Sequence, residues 1–225
     1  MKFNFAFASI ILALIFVAPA VAGPFEDAVT ARESRDDVTA LRLFRPLAEK
    51  GDARAQYYLS LIIGRADAAS NGSSEAFGWA KKAAAQGLSF AQYHVAVMYD
   101  GGVGTPQDAV EGAIWLRKAA DQGNAEAQHA LGIAYDQGRG VPQDYAVAHM
   151  WFNLAAARSH PAAAEYRNKV GERMSSAQLA EAQKMAREWK STKQSRRWPA
   201  SNSWSDTADP ALRHQAPVLA GSGKQ

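Results

Sequence analysis

The 225-residue chain contains no cysteine. That single absence excludes structural disulfides, Cys-ligated zinc, iron–sulfur clusters and thiol nucleophiles together. Catalytic signatures are missing too. Five histidines occur (His94, His129, His149, His160 and His214), but none stands in H-E-x-x-H and no two share a helix at i, i+4. No G-x-S-x-G nucleophile elbow is present. The GGVG run of Gly101–Gly104 lacks the Lys-Ser/Thr of a phosphate-binding loop and follows a helical pattern where that loop needs a strand. Asp100 and Asp136 resemble an acid pair only superficially, because they occupy equivalent helix ends in successive repeats. The sequence therefore gives no catalytic residue, no metal site and no cofactor.

Long apolar runs are equally scarce. The one sustained run, residues 5–17, is interrupted only by Ser9 and falls short of the roughly 20 residues that span a bilayer. Lys2 precedes it, and Ala20-Val21-Ala22 supplies an A-x-A site, so residues 1–22 read as a secretory signal peptide cut after Ala22. With no cysteine after that site a lipid anchor is excluded, and a periplasmic or secreted protein is expected.

The chain has 48% hydrophobic and 21% charged residues, a globular composition. Its formal charge of +3 hides an asymmetry. Residues 23–164 hold 13 basic against 16 acidic residues, a net of −3, and residues 165–197 hold 9 against 4, a net of +5. Glu181 and Glu188 interrupt the basic stretch, which reads as a solvated helix face. No nucleic-acid partner is expected, and membrane contact is open only through this basic C-terminal end.

A period of 36 residues organises the middle of the chain. Trp79, Trp115 and Trp151 obey it, as do GDARAQ at 51–56, GLSFAQ at 87–92 and GNAEAQ at 123–128. Residues 88–123 and 124–159 share 12 identities in 36, and 52–87 and 88–123 share 10; chance gives roughly two.

Each copy reads as two helices. In the third, Ala125 to Tyr135 carries Ala127, Leu131 and Tyr135 on one stripe. The turn DQGRG at 136–140 ends it, Pro142 prevents its extension, and Asp144 caps the next helix. That second helix buries Ala148, Trp151, Phe152, Ala155 and Ala156. The second copy repeats the layout in DGGVGTPQD at 100–108, whereas GRADAASNG at 64–72 has lost the proline and most glycines. Small residues recur where helices must approach: Ala55, Ala91 and Ala127, then Ser60, Ala96 and Gly132. One such hairpin cannot bury its apolar face alone, so the copies must stack.

Degenerate copies flank the array. Phe25–Glu33 and Asp37–Lys50 read as a hairpin before it, and Ala162–Met174 and Ala177–Lys190 as one after it. The last helix sets Leu179, Ala182, Met185, Ala186 and Trp189 against Glu181, Lys184 and Arg187, apolar inward and charged outward. Residues 191–225, rich in Ser, Pro, Ala and Gly, read as a disordered tail. The expected organisation is a helical repeat domain over 23–190, with clear repeats at 52–87, 88–123 and 124–159 and terminal hairpins at 25–50 and 161–190. The expected fold is all-α, an α/α superhelical solenoid of about five helical hairpins.

The pattern AQ-x6-Y-x-x-G, carried by Ala91, Gln92, Tyr99, Gly102 and again by Ala127, Gln128, Tyr135, Gly138, resembles the Sel-one-like repeat family, a relative of the tetratricopeptide repeat. The PQD turns and the Trp-x3-Ala-Ala endings belong to the same resemblance. Ile63, Ser60, Ala96 and the altered first turn depart from it. The resemblance implies a protein-binding adaptor or regulator, with a protein partner in the cell envelope, and no enzyme. It also implies where binding occurs. In the tetratricopeptide relative, residues 2, 5 and 9 of each first helix line the concave face. Here these are Arg54, Tyr57 and Leu61; Phe90, Tyr93 and Val97; and Glu126, His129 and Ile133, with Tyr57, Tyr93 and His129 as a gripping column. The other readings are a structural scaffold of an envelope secretion complex and a cell-wall or β-lactam hydrolase. The β-lactamase-like branch of the family depends on disulfide-linked hairpins that this chain cannot form.

Overall fold

The computed structural model of the protein describes residues 23–66 and 72–189. The leader at 1–22, most of the altered first-copy turn and the tail at 191–225 lie outside the described residues. Among those described there are ten helices and no strand: α1 Pro24–Glu33, α2 Asp37–Glu49, α3 Ala53–Ala66, α4 Gly72–Ala85, α5 Ser89–Gly101, α6 Ala109–Asp121, α7 Ala125–Gln137, α8 Tyr145–Ala156, α9 Ala163–Gly171 and α10 Ser176–Glu188. They form consecutive helical hairpins, the all-α architecture of the Sel1 and tetratricopeptide-like solenoids.

The PQD motif explains the hairpin turns. Gly102 and Gly138 end α5 and α7 in the left-handed region, at φ +66° and +70°, where a side chain would be strained. Five residues on, the Gln107 and Gln143 amides donate back to the carbonyls of Asp100 and Asp136, both at 2.7 Å. Asp108 and Asp144 then accept from the first free amides of α6 and α8 at 2.9–3.0 Å. Glycine stops one helix, glutamine ties its end, and aspartate starts the next.

The AQ motif explains the joints between repeats. Gln56 Nε2 donates to the Ala48 carbonyl at 3.0 Å, Gln92 to Ala84 at 3.2 Å and Gln128 to Ala120 at 3.1 Å. All three glutamines are buried. Each adds a second donor to a carbonyl in the last turn of the preceding helix that already accepts from the amide of Gly51, Gly87 or Gly123 at 2.8–3.0 Å.

The chain groups into two compact units, residues 1–115 and 116–225, divided within α6. In the first, Phe44 and Tyr58 stack at 5.1 Å and Phe25 meets both edge-on. Ala55, Ser60, Ala76 and Ala80 are fully buried there, small residues at helix crossings. In the second unit, Phe152 and Val170 join Ile133 and Ala148 in one cluster. Trp151 is fully buried, with the Trp189 ring edge-on at 6.0 Å and the Arg117 guanidinium 5.3 Å above it. Removing Trp151 and Phe152 from water contributes roughly 2–3 kcal/mol each. The helix α10 lies on α8, buries Ala182, and begins with a Ser175–Gln178 capping box. Of the apolar residues expected on α8, Ala156 remains half-exposed.

Candidate binding surface

In the first unit the expected surface residues divide by burial. Tyr57 and Leu61, on α3, keep only 4% and 8% of their surface. Neither presents a wall to a partner, which corrects the expected column. The reason is a contact between repeats: the His94 ring of α5 stands edge-on to Tyr57 at 6.0 Å. Arg54 is half-buried over the Phe25 ring at 4.0 Å and pairs with Asp52 at 3.6 Å. On α5, by contrast, Phe90, Tyr93 and Val97 are all half-buried, at i, i+3 and i+7, while Ala91, Val95, Ala96 and Met98 fill the core. The helix therefore holds an apolar stripe with surface to spare along one side. Burial pushes the His94 imidazole down to about 4.

In the second unit Ile133 is 7% exposed and belongs to the core cluster, a further correction. The other two expected residues, Glu126 and His129 on α7, are brought together with a third that the spacing did not flag. His160, in the connection between α8 and α9, stacks on His129 with ring centroids 4.1 Å apart and planes at 18°. Its Nε2 lies 2.9 Å from Glu126 Oε2, and since a carboxylate only accepts, the imidazole N–H donates. Tyr166 of α9 stands edge-on to His129 at 4.9 Å and Phe152 of α8 lies 5.5 Å away. His129 Nε2 and His160 Nδ1 are buried without a hydrogen-bond partner. Burial first, and the neighbouring His160 second, push His129 down to about 4. The hydrogen bond from His160 holds the Glu126 carboxyl below its ordinary value.

The repeat register would have found this cluster. His160 falls 36 residues after Asn124, the cap of α7, and so opens the next first helix beside the previous one. Tyr166 falls 36 times two residues after His94, which makes His129–Tyr166 the counterpart of Tyr57–His94. Among the described residues no group of three His, Asp or Glu side chains is placed to hold a metal ion, and no helix is long and apolar enough to cross a membrane.

Comparison with known proteins agrees with this architecture. The Sel1 repeat family model matches residues 32–52, 53–88, 89–124 and 125–160, more than half of the chain. Among solved structures, a protective antigen of uropathogenic Escherichia coli strains displaying an SLR fold is 34% identical, with a TM-score of 0.64. The match covers 67% of this chain and 32% of that protein, so the chain spans about a third of its relative's length. A Sel1 repeat protein from Oxalobacter formigenes is 38% identical over 52% of this chain and 89% of its own, with a TM-score of 0.49. No curated protein matches. Sel1 solenoids are generally non-catalytic scaffolds that mediate protein–protein contacts. With four matched repeats, the PQD-stapled turns and the glutamine joints, the chain belongs to the Sel1 repeat family.

Proposed function

We propose that the protein is an adaptor or regulatory binding protein of the cell envelope that holds a protein partner on the first-helix side of its repeats. The observation that carries this reading is the half-buried stripe of Phe90, Tyr93 and Val97 on α5. Aromatic and aliphatic side chains fixed on a rigid helix supply contact area at small entropic cost, and binding energy concentrates on such anchors. Arg54 of α3, in the same unit, adds a polar contact at the repeat position that Phe90 holds on α5. The envelope location rests on residues 1–22, whose charge, apolar core and A-x-A site fit an export signal.

In-cell crosslinking of tagged wild type and of a Phe90→Ala, Tyr93→Ala double variant, followed by mass spectrometry, tests both halves. Recovery of envelope proteins that falls at least about tenfold in a variant of unchanged helicity supports the reading, since losing 1.4 kcal/mol of contact is tenfold in affinity. Undiminished recovery sinks the surface, and purely cytoplasmic partners sink the location.

A further inference from the structure

We infer that the stacked imidazoles of His129 and His160, sharing the single carboxylate of Glu126, form an acid-sensitive latch that holds α9 against α7 and α8. The inference stands apart from the partner-binding reading, because it concerns how the last hairpin is fastened.

Two ring nitrogens set the chemistry. His160 uses its Nε2 proton on Glu126, so in the neutral ring Nδ1 is a buried lone pair without a donor. The buried Nε2 of His129 has no partner either, and an unpaired acceptor costs less there than an unpaired N–H, so the neutral ring carries its proton on Nδ1. A proton added to either ring sits on a buried nitrogen without an acceptor, His160 Nδ1 or His129 Nε2, and Glu126 is the carboxylate that can compensate one such charge. A second proton puts another unsatisfied N–H into the packed site and a second cation 4.1 Å from the first. One carboxylate cannot serve both.

Among the described residues no second acidic group supplies the missing charge. From α7 the facing ionisable group is Glu126, from α8 the contact is the Phe152 ring and from α9 it is Tyr166. His149 of α8 lies beside Gly171 at the other end of α9 and is separated from the latch by a His149→Phe control in the exchange experiment. Lys169 lies 5.7 Å over the outer Tyr166 ring and pairs with Glu165, while Arg167 is held by Asn153 and Asn168, so the nearby charge of α9 is cationic or already paired. The low affinity of His129 for a proton, noted above, agrees with this geometry.

The latch sits where the chain can give. The matched Sel1 repeats end at residue 160, where the last hairpin begins. Ser159, just before His160, has φ +62°, a left-handed conformation that costs an L-residue about 1 kcal/mol or more. Arg173, just after α9, pairs with Asp136 and tethers the far end. Opening at His160 relieves the strain and pivots α9 about that tether.

Amide hydrogen exchange on the full chain, with histidine ring NMR shifts recorded alongside, tests the latch. After correction for intrinsic exchange, the α9 amides are expected to exchange about tenfold faster near pH 5.5 than near pH 8, the ratio that a histidine proton released on closing gives one unit below its ordinary value. His129→Phe keeps a stacking ring that cannot charge and should flatten this dependence. Glu126→Gln alters only a half-exposed side chain and should shift opening to higher pH, because the ring pair then has no carboxylate beside it to compensate a positive charge. A wild-type α9 whose exchange does not change with pH overturns the latch, and so does a Glu126→Gln profile that superimposes on wild type, whether or not His129→Phe folds.

Discussion

The His94 ring stands edge-on to the Tyr57 ring, with centroids 6.0 Å apart and planes at 82°. The same register one unit on gives His129 against Tyr166 at 4.9 Å and 85°. In both, the fifth residue of one first helix meets a ring of the next first helix 37 residues further along the chain. A position that faces a ligand in a related repeat becomes a seam when the following repeat supplies a ring to cover it.

His94 makes that seam pH-dependent. Its folded-state value of about 4 lies below the ordinary 6.5 of an exposed histidine, so the unfolded chain takes up the proton first. Its neutral packing is fully present above about pH 6.5 and is lost as the pH falls toward about 4, by up to about 3 kcal/mol. Urea midpoints from pH 8 to pH 4.5 should decline for wild type and decline less for His94→Phe, which keeps the edge-on ring. Equal declines would show that His94 is not a source of the acid sensitivity.

The buried Gln92 amide should be worth more than its size suggests. Gln92→Leu removes a buried hydrogen bond at the end of α4 and leaves the Ala84 carbonyl to the Gly87 amide alone. The loss should be about 1 kcal/mol, read from the urea midpoint of the full chain. Gln86 is the contrast: from an exposed position it donates to the Gly51 carbonyl and to Gln56 Oε1, where water can take its place, and Gln86→Ala should cost less than Gln92→Leu.

Asp144 tests the turn chemistry. Its carboxylate accepts from the Ala146 and Val147 amides at 2.9 and 3.0 Å, so Asp144→Ala should lower stability by about 1 kcal/mol, while Asp144→Asn, which keeps an acceptor oxygen, should recover most of it. Equal losses in both variants would place the effect in the charge rather than the cap.

The helices were legible because local chemistry marks their ends. Asp37–Lys50 was expected and Asp37–Glu49 is observed; Ala125–Tyr135 runs on to Gln137, two residues nearer to the Gly138 stop. The least accurate was Ala162–Met174, which ends at Gly171 because Arg173 and Met174 turn back to bond Val170 and Gly171. Exposure was harder to read. Leu61 and Val97 share one register position, yet one is buried and the other half-buried. What covers such a residue comes from another repeat, and the 36-residue period predicts where that neighbour lies but not how large its side chain is.

Two glycines in helices separate packing from propensity. A Cβ at Gly132, in α7, would lie 2.7 Å from two ring carbons of Phe152, which is fully buried and has no room to retreat. Gly132→Ala should therefore lose about 1–3 kcal/mol despite the better helix former. At Gly78, exposed in α4, nothing stands within 4 Å of the added carbon, and its backbone is not left-handed. Gly78→Ala should gain about 0.5–1 kcal/mol, since only propensity acts. Both shifts are read from urea unfolding of the full chain. A neutral Gly132→Ala would mean that α7 and α8 can separate at the Phe152 crossing, and that the small residue there reflects something other than close approach.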